Sequence, residues 1–152
     1  MKELLLPYKW RYLGWVFTSV GAFLAILYYF FDFNFVMPVF AIHSSFLETK
    51  MFAFITNNFA DELILLLLTS GLGLLAFTQD KIEYEYLETI RSKAMGKALL
   101  TNMIFLVLSI LFIYGSGFIA VLIANTLSIP LLYLLFFRIL KSREKSIGRS
   151  ED

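Results

Sequence analysis

The residues most able to do chemistry lie in one stretch near the first third of the chain. His43, the only histidine, stands beside Ser44 and Ser45, with Asp32, Glu48, Asp61 and Glu62 in the same segment. Histidine and carboxylates suit a divalent cation, and serine beside histidine raises the question of nucleophilic catalysis. Nothing in the spacing sets a base against either hydroxyl, and a solvated acidic face accounts for the carboxylates more simply. The chain has no cysteine, which excludes disulfides, thiolate metal sites and dithiol redox chemistry. A single histidine also falls short of paired haem ligation. The sequence therefore predicts no enzyme, with no catalytic residue, metal or cofactor to assign.

A second set of polar residues is sparse and surrounded by apolar ones: Asn102, Asn125, Thr126 and Ser128, with Pro130 close behind. Proline lacks the N–H that would bond the carbonyl one turn earlier, here that of Thr126. Asn102 is expected near that carbonyl, on an adjacent antiparallel helix, where its amide could donate to it. The functional alternative is a solute path lined by Asn102, Asn125 and Pro130, since broken helices line binding sites in transporters. Segments 13–31, 63–77, 98–114 and 118–137 contain no Asp, Glu, Lys, Arg or His. Proton-coupled transport ordinarily needs such a group inside the membrane. The first-span glutamate of the small multidrug transporters has no counterpart here.

The elements that would hold these residues follow from the distribution of charge. Of the 152 residues, 59% are hydrophobic and 16% charged, and the charges gather between long uncharged runs. A charge at mid-bilayer costs about 2.5–3.5 kcal/mol even on the lenient insertion scale, so this partition is that of a membrane chain. The expected architecture is an all-α membrane protein, an antiparallel bundle of four transmembrane helices at about 13–31, 62–78, 98–114 and 118–137. All but Lys50 of the 13 basic residues fall on one side of such a bundle. Short basic segments stay cytoplasmic, which places both termini and the 138–152 tail inside. The tail is polar and expected to be disordered after Lys145.

The connections are expected to differ. Within the outer loop, 32–61, apolar residues from Phe46 to Phe59 recur at helical spacing, predicting an amphipathic helix in the headgroups or across the bundle mouth. Gly115-Ser116-Gly117 predicts a tight outer turn. Between Gln79 and Lys97 there is no proline and one glycine, Gly96, so the second span is expected to continue as a cytoplasmic helical arm before turning into the third. Ile82, Tyr86, Ile90 and Ala94 share a stripe of that arm, with Leu87 beside it. Glu83, Tyr84, Glu85, Tyr86 and Glu88 alternate acids with aromatics and form the candidate docking surface for a soluble or membrane partner. Small residues (Gly14, Thr18, Gly21, Ala22 and Ala25; Thr69 and Gly73; Ala120, Ala124 and Ser128) allow close helix approach, within one chain first and between copies in a homo-oligomer second. Arg138, Lys141, Arg143 and Lys145 would attract anionic lipid; nothing points to nucleic acid.

The run from Phe77 through Leu87 to Arg91, then Lys97 to Asn102 and the Tyr114-Gly115 turn, resembles a group of small four-span bacterial membrane proteins with no assigned activity. That resemblance implies the architecture and a bacterial inner membrane, and carries over no site residue. Two function classes follow: an accessory or regulatory membrane protein acting through contacts of the 79–97 arm, and a small-solute or lipid permease working as an oligomer.

Overall fold

The computed structural model describes residues 5–31, 34–44, 50–81 and 85–148. The order is α1 (Trp10–Phe31), β1 (Val36–Ser44), β2 (Lys50–Asn58), α2 (Ala60–Ala76), α3 (Glu85–Phe112) and α4 (Ser116–Gly148). Among the described residues three helical segments, Trp10–Phe31, Tyr86–Phe112 and Gly117–Glu144, are long and apolar enough to cross a membrane. Their outward residues are large and apolar, as a lipid-facing surface requires: Phe23 on α1, Met103 and Val107 on α3, and Ile119 and Leu131 on α4 are all exposed. Helix α2, at 17 residues, covers about 26 Å at the helical rise, slightly less than the hydrocarbon thickness.

The segment between α1 and α2 corrects the expectation of an amphipathic helix. Residues 36–44 and 50–58 form an antiparallel hairpin in which Phe40 pairs with Phe54 and Val36 with Asn58. The Phe40 and Phe54 rings meet edge to face at 5.3 Å, a cross-strand pair of the kind that stabilises a ladder. Asn58 closes the hairpin base. Its Oδ1 accepts from the Phe35 and Ala60 backbone N–H groups, and its Nδ2 donates to Asn34 Oδ1 at 2.8 Å. The same side chain thereby ends the strand and holds one of the free N–H groups at the start of α2.

Helices α1 and α2 pack along a seam of small residues. Gly14, Gly21 and Gly71 are buried. A Cβ at position 71 would lie 2.6 Å from the Thr18 backbone nitrogen, so the two backbones come closer than any side chain would permit. Thr18 donates its hydroxyl to the Gly14 carbonyl at 2.8 Å, which satisfies the polar group that lies against Gly71. The partner in α2 is Gly71. Thr69 is exposed, and a Cβ on Gly73 would meet nothing within 4 Å.

The connection after α2 also differs from expectation. Helix α2 stops at Ala76, and the chain turns before, not after, the 85–97 segment, which forms the first turns of a continuous α3. Leu6 fixes the break: its N–H donates to the Phe77 carbonyl at 2.8 Å, and its carbonyl accepts from Gln79 N–H at 2.9 Å. This short parallel bridge takes up backbone groups that a continuing helix would have used internally. Helices α3 and α4 are joined by the expected tight turn at Gly115, whose φ of 71° lies in the region that only glycine enters freely. Helix α4 then runs unbroken through Pro130 to Gly148, past the point where a disordered tail was expected.

Candidate functional site

A charged and hydrogen-bonded cluster lies at the end of the bundle where α1 begins and α4 ends. Asp80, just beyond α2, accepts from Arg11 Nη1 at 2.6 Å through one carboxylate oxygen and from Lys141 Nζ through the other. It thereby ties α1 and α4 to the α2–α3 connection. Burial pushes the Asp80 carboxyl up, but the hydrogen bonds and charges of Lys141 and Arg11 outweigh it and hold the group below its ordinary range.

Arg91 lies deeper, only 2% exposed. Its Nη1 donates to Tyr133 Oη at 3.1 Å and its Nη2 to the Thr78 carbonyl at 3.3 Å. The guanidinium stands 4.6 Å from the centre of the Phe137 ring, which stacks on Tyr133 at 6.0 Å. Lys141 Nζ is 5.7 Å from the same ring. A buried charge is tolerated when its donors find acceptors and its field is met by an electron-rich face; here α4 supplies the ring face and one acceptor, and Thr78 supplies another. The apolar packing around the network comes from Ala76, Leu87, Ile90, Ala94 and Ala98.

Around the buried stripe of α3, Tyr86, Glu88, Ser92 and Lys93 are all exposed; Glu88 and Ser92 lie opposite Leu87 and Ile90, and Tyr86 stands beside Ile90 at the edge. Of the residues expected to form a docking surface, Tyr86 and Glu88 therefore point outward at the charged end. Glu83 and Tyr84 lie outside the described residues, as does the side chain of Glu85. Tyr86, expected on the buried stripe with Ile90 and Ala94, stands at its exposed edge; the buried stripe is Leu87, Ile90, Arg91, Ala94 and Ala98.

Midway along α3 and α4, Asn102, Asn125 and Ser128 meet. Asn102 Oδ1 accepts from Asn125 Nδ2 at 3.2 Å and from the Ser128 hydroxyl. Asn102 was expected beside the carbonyl that Pro130 frees at Thr126; its bonds run to side chains instead, because Asn125 and Ser128 face α3. The Thr126 hydroxyl turns back to the Leu122 carbonyl at 3.0 Å. Pro130, half-buried within α4, sits just beyond this trio.

No protein family, curated protein or solved structure matches this chain. The site must therefore be read from its own chemistry. Among the described residues no group of three or more His, Cys, Asp or Glu is placed to hold a metal. Asp32, Ser45 and Glu48 lie outside the described residues, as does the side chain of His43. The network has charge, hydrogen bonding and rigidity, which suit holding elements together and presenting a surface.

Arg91 is the functional residue absent from the expectations above, where it counts only among the basic residues of the cytoplasmic arm. The signal was present: positions 87, 91, 94 and 98 lie on one helical face, so an arginine on that face had to be buried. The facing Tyr133 and Phe137, one turn apart, are its natural receptors.

Proposed function

We propose that this chain is a four-span membrane protein of the bacterial inner membrane, with both ends cytoplasmic, that acts by contact and not by catalysis. Its charged end serves as a rigid platform from which the start of α3 engages a protein partner. The observation carrying this proposal is the two-sidedness of that segment. Leu87, Ile90 and Arg91 are buried in the bundle, whereas Tyr86 at the edge of that face and Glu88 on the other side are exposed. Such a helix end loses little freedom on binding, since it is already ordered.

Four crossings are supported by the placement of α2. It begins at the hairpin, lies along α1, and ends where Leu6 and Arg11 meet Phe77 and Asp80. It thus returns to the end at which α1 starts. The cytoplasmic assignment of that end rests on its basic residues. A solute path through Asn102 and Asn125 gains less support, because these amides bond to one another.

Two measurements test the proposal. The chain has no cysteine, so Lys81→Cys, Ser142→Cys and Thr49→Cys give clean labelling sites. The first two should be protected from an impermeant reagent in intact cells, and the third should react. Protection at Thr49→Cys would remove the topology. For docking, Tyr86→Ser with Glu88→Lys should abolish capture of a cross-linked partner while leaving thermal stability nearly unchanged. Capture that survives both changes would remove the platform.

A further inference from the structure

Between the start of α1 and the last third of α4 lies a groove of about 580 Å³, within the usual size of a ligand site. Its lining changes character along the bundle axis. Arg11, Asp80, Arg138 and Lys141 form the mouth at the charged end, and Trp15, Leu131 and Leu135 form the deeper wall. On α4 this order is set by the helical repeat: Leu131, Leu135 and Arg138 fall on one stripe that rises about 10 Å from apolar wall to cation. On α1, Trp15 lies one turn inward of Arg11 in the same sense.

The mouth holds three cations and one carboxylate, a net charge of +2. Asp80 does not cancel this field; by bonding both Arg11 and Lys141 it draws their charges to one place, and Arg138 adds a third. The apolar wall opens sideways, since Trp15 is 57% exposed and Leu135 52%. Both lie on helices apolar enough to cross a membrane, so this opening faces the lipid. A soluble anion would make no use of the wall, and a lipid without net charge would leave the cations unanswered.

We propose that the groove binds one anionic phospholipid, its phosphate among Arg11, Arg138 and Lys141 and an acyl chain along Trp15, Leu131 and Leu135. This site requires α1 and α4 to lie in a bilayer. It is independent of the number of crossings and of partner docking through Tyr86 and Glu88.

Native mass spectrometry of the purified full chain tests it, with phosphatidylglycerol, phosphatidylethanolamine of the same acyl chains, and inorganic phosphate as separate ligands. One phosphatidylglycerol should be retained in preference to phosphatidylethanolamine, and phosphate should not displace it. Arg138→Gln should weaken that retention about fivefold, the worth of one interfacial cation. Leu131→Trp, which fills the wall and keeps every charge, should weaken it too. Equal retention of the two lipids, or retention unchanged in both variants, overturns the site. Displacement by phosphate would assign the cations to a soluble anion and likewise overturn it. A chain that stays monodisperse without detergent would remove the bilayer itself, a result read before any lipid is added.

Discussion

Helices α1 and α2 approach each other through side chains that are missing, whereas α3 and α4 are joined by polar side chains. In the first pair the backbones meet at Gly14, Gly21 and Gly71, and the nearest hydroxyl, Thr18, is turned onto its own helix. In the second, Arg91 reaches Tyr133, and Asn102 reaches Asn125 and Ser128. Both solutions answer the same difficulty. Lipid is as apolar as leucine, so helices within it gain little from burying apolar surface and must associate by close contact or by hydrogen bonds. The contact solution tolerates no added atom. The hydrogen-bond solution tolerates volume better but loses when one partner is removed.

The largest expected effect breaks the first pair. Gly71→Ala places a methyl against the Thr18 backbone, which cannot rotate away, and should cost about 3 kcal/mol or more. Gly73→Ala, two residues along the same helix, meets open space and should be neutral or stabilising by up to about 1 kcal/mol. Thermal unfolding in detergent compares them; equal effects would mean that the seam does not depend on contact at Gly71.

Next comes Arg91→Met, which keeps most of the volume but leaves the Tyr133 hydroxyl and the Thr78 carbonyl without this donor. The expected loss is about 2–3 kcal/mol. Tyr133→Phe should cost less, because Arg91 keeps Thr78 and the Phe137 face. If Tyr133→Phe equals Arg91→Met, the hydroxyl rather than the guanidinium organises this end.

Asn102→Leu should cost about 0.6–1.7 kcal/mol, the range for polar contacts between membrane helices. Combined with Ser128→Ala, the loss should fall short of the two single losses added together. Strict additivity would show that the trio does not act as a unit.

The smallest effect is that of pH on Asp80. Its carboxyl is held below the ordinary value of 3.8, so the folded state binds the proton less readily than the unfolded chain does. The stabilisation is therefore complete above about pH 4–5 and is lost as pH falls through the folded-state value. Asp80→Asn should flatten the acid side of a stability profile and leave the neutral side parallel to that of the parent. An unchanged acid side would place the titration elsewhere.

The same comparison shows what the sequence makes legible. Long uncharged runs announce helices of membrane length, and Gly14, Thr18 and Gly21 announce a close-packed face. Their partner does not stand out, because Thr69 and Gly73 fit a small-residue spacing as well as Gly71 does. The hairpin was misread as a helix because Met51 to Ile55 is an unbroken apolar run, with no alternation of polar and apolar residues to mark a strand, and such a run also satisfies a helical period. The break after Ala76 was hidden for a different reason. No proline or glycine marks it, and its cause is the pairing of Leu6 with Thr78, a contact between residues far apart in sequence. Arg91 was hidden by its charge, which placed it among the solvated cations of the cytoplasmic arm although it shares the buried face of Leu87, Ala94 and Ala98.

The Leu6–Thr78 bridge also has a consequence for the order in which the protein is made. Residues 10–76 contain both helices of the glycine seam and can close on each other while α3 and α4 are still being translated. The bridge can form as soon as residue 79 has emerged, before Arg91 has left the exit tunnel to occupy the Thr78 carbonyl. The ribosome would thus deliver a finished first half whose strap already presents the acceptor for the second. A bulky fusion at the N-terminus, which must leave room for Leu6 to reach Phe77 and Gln79, would delay the docking of α3 while leaving the α1–α2 pair intact.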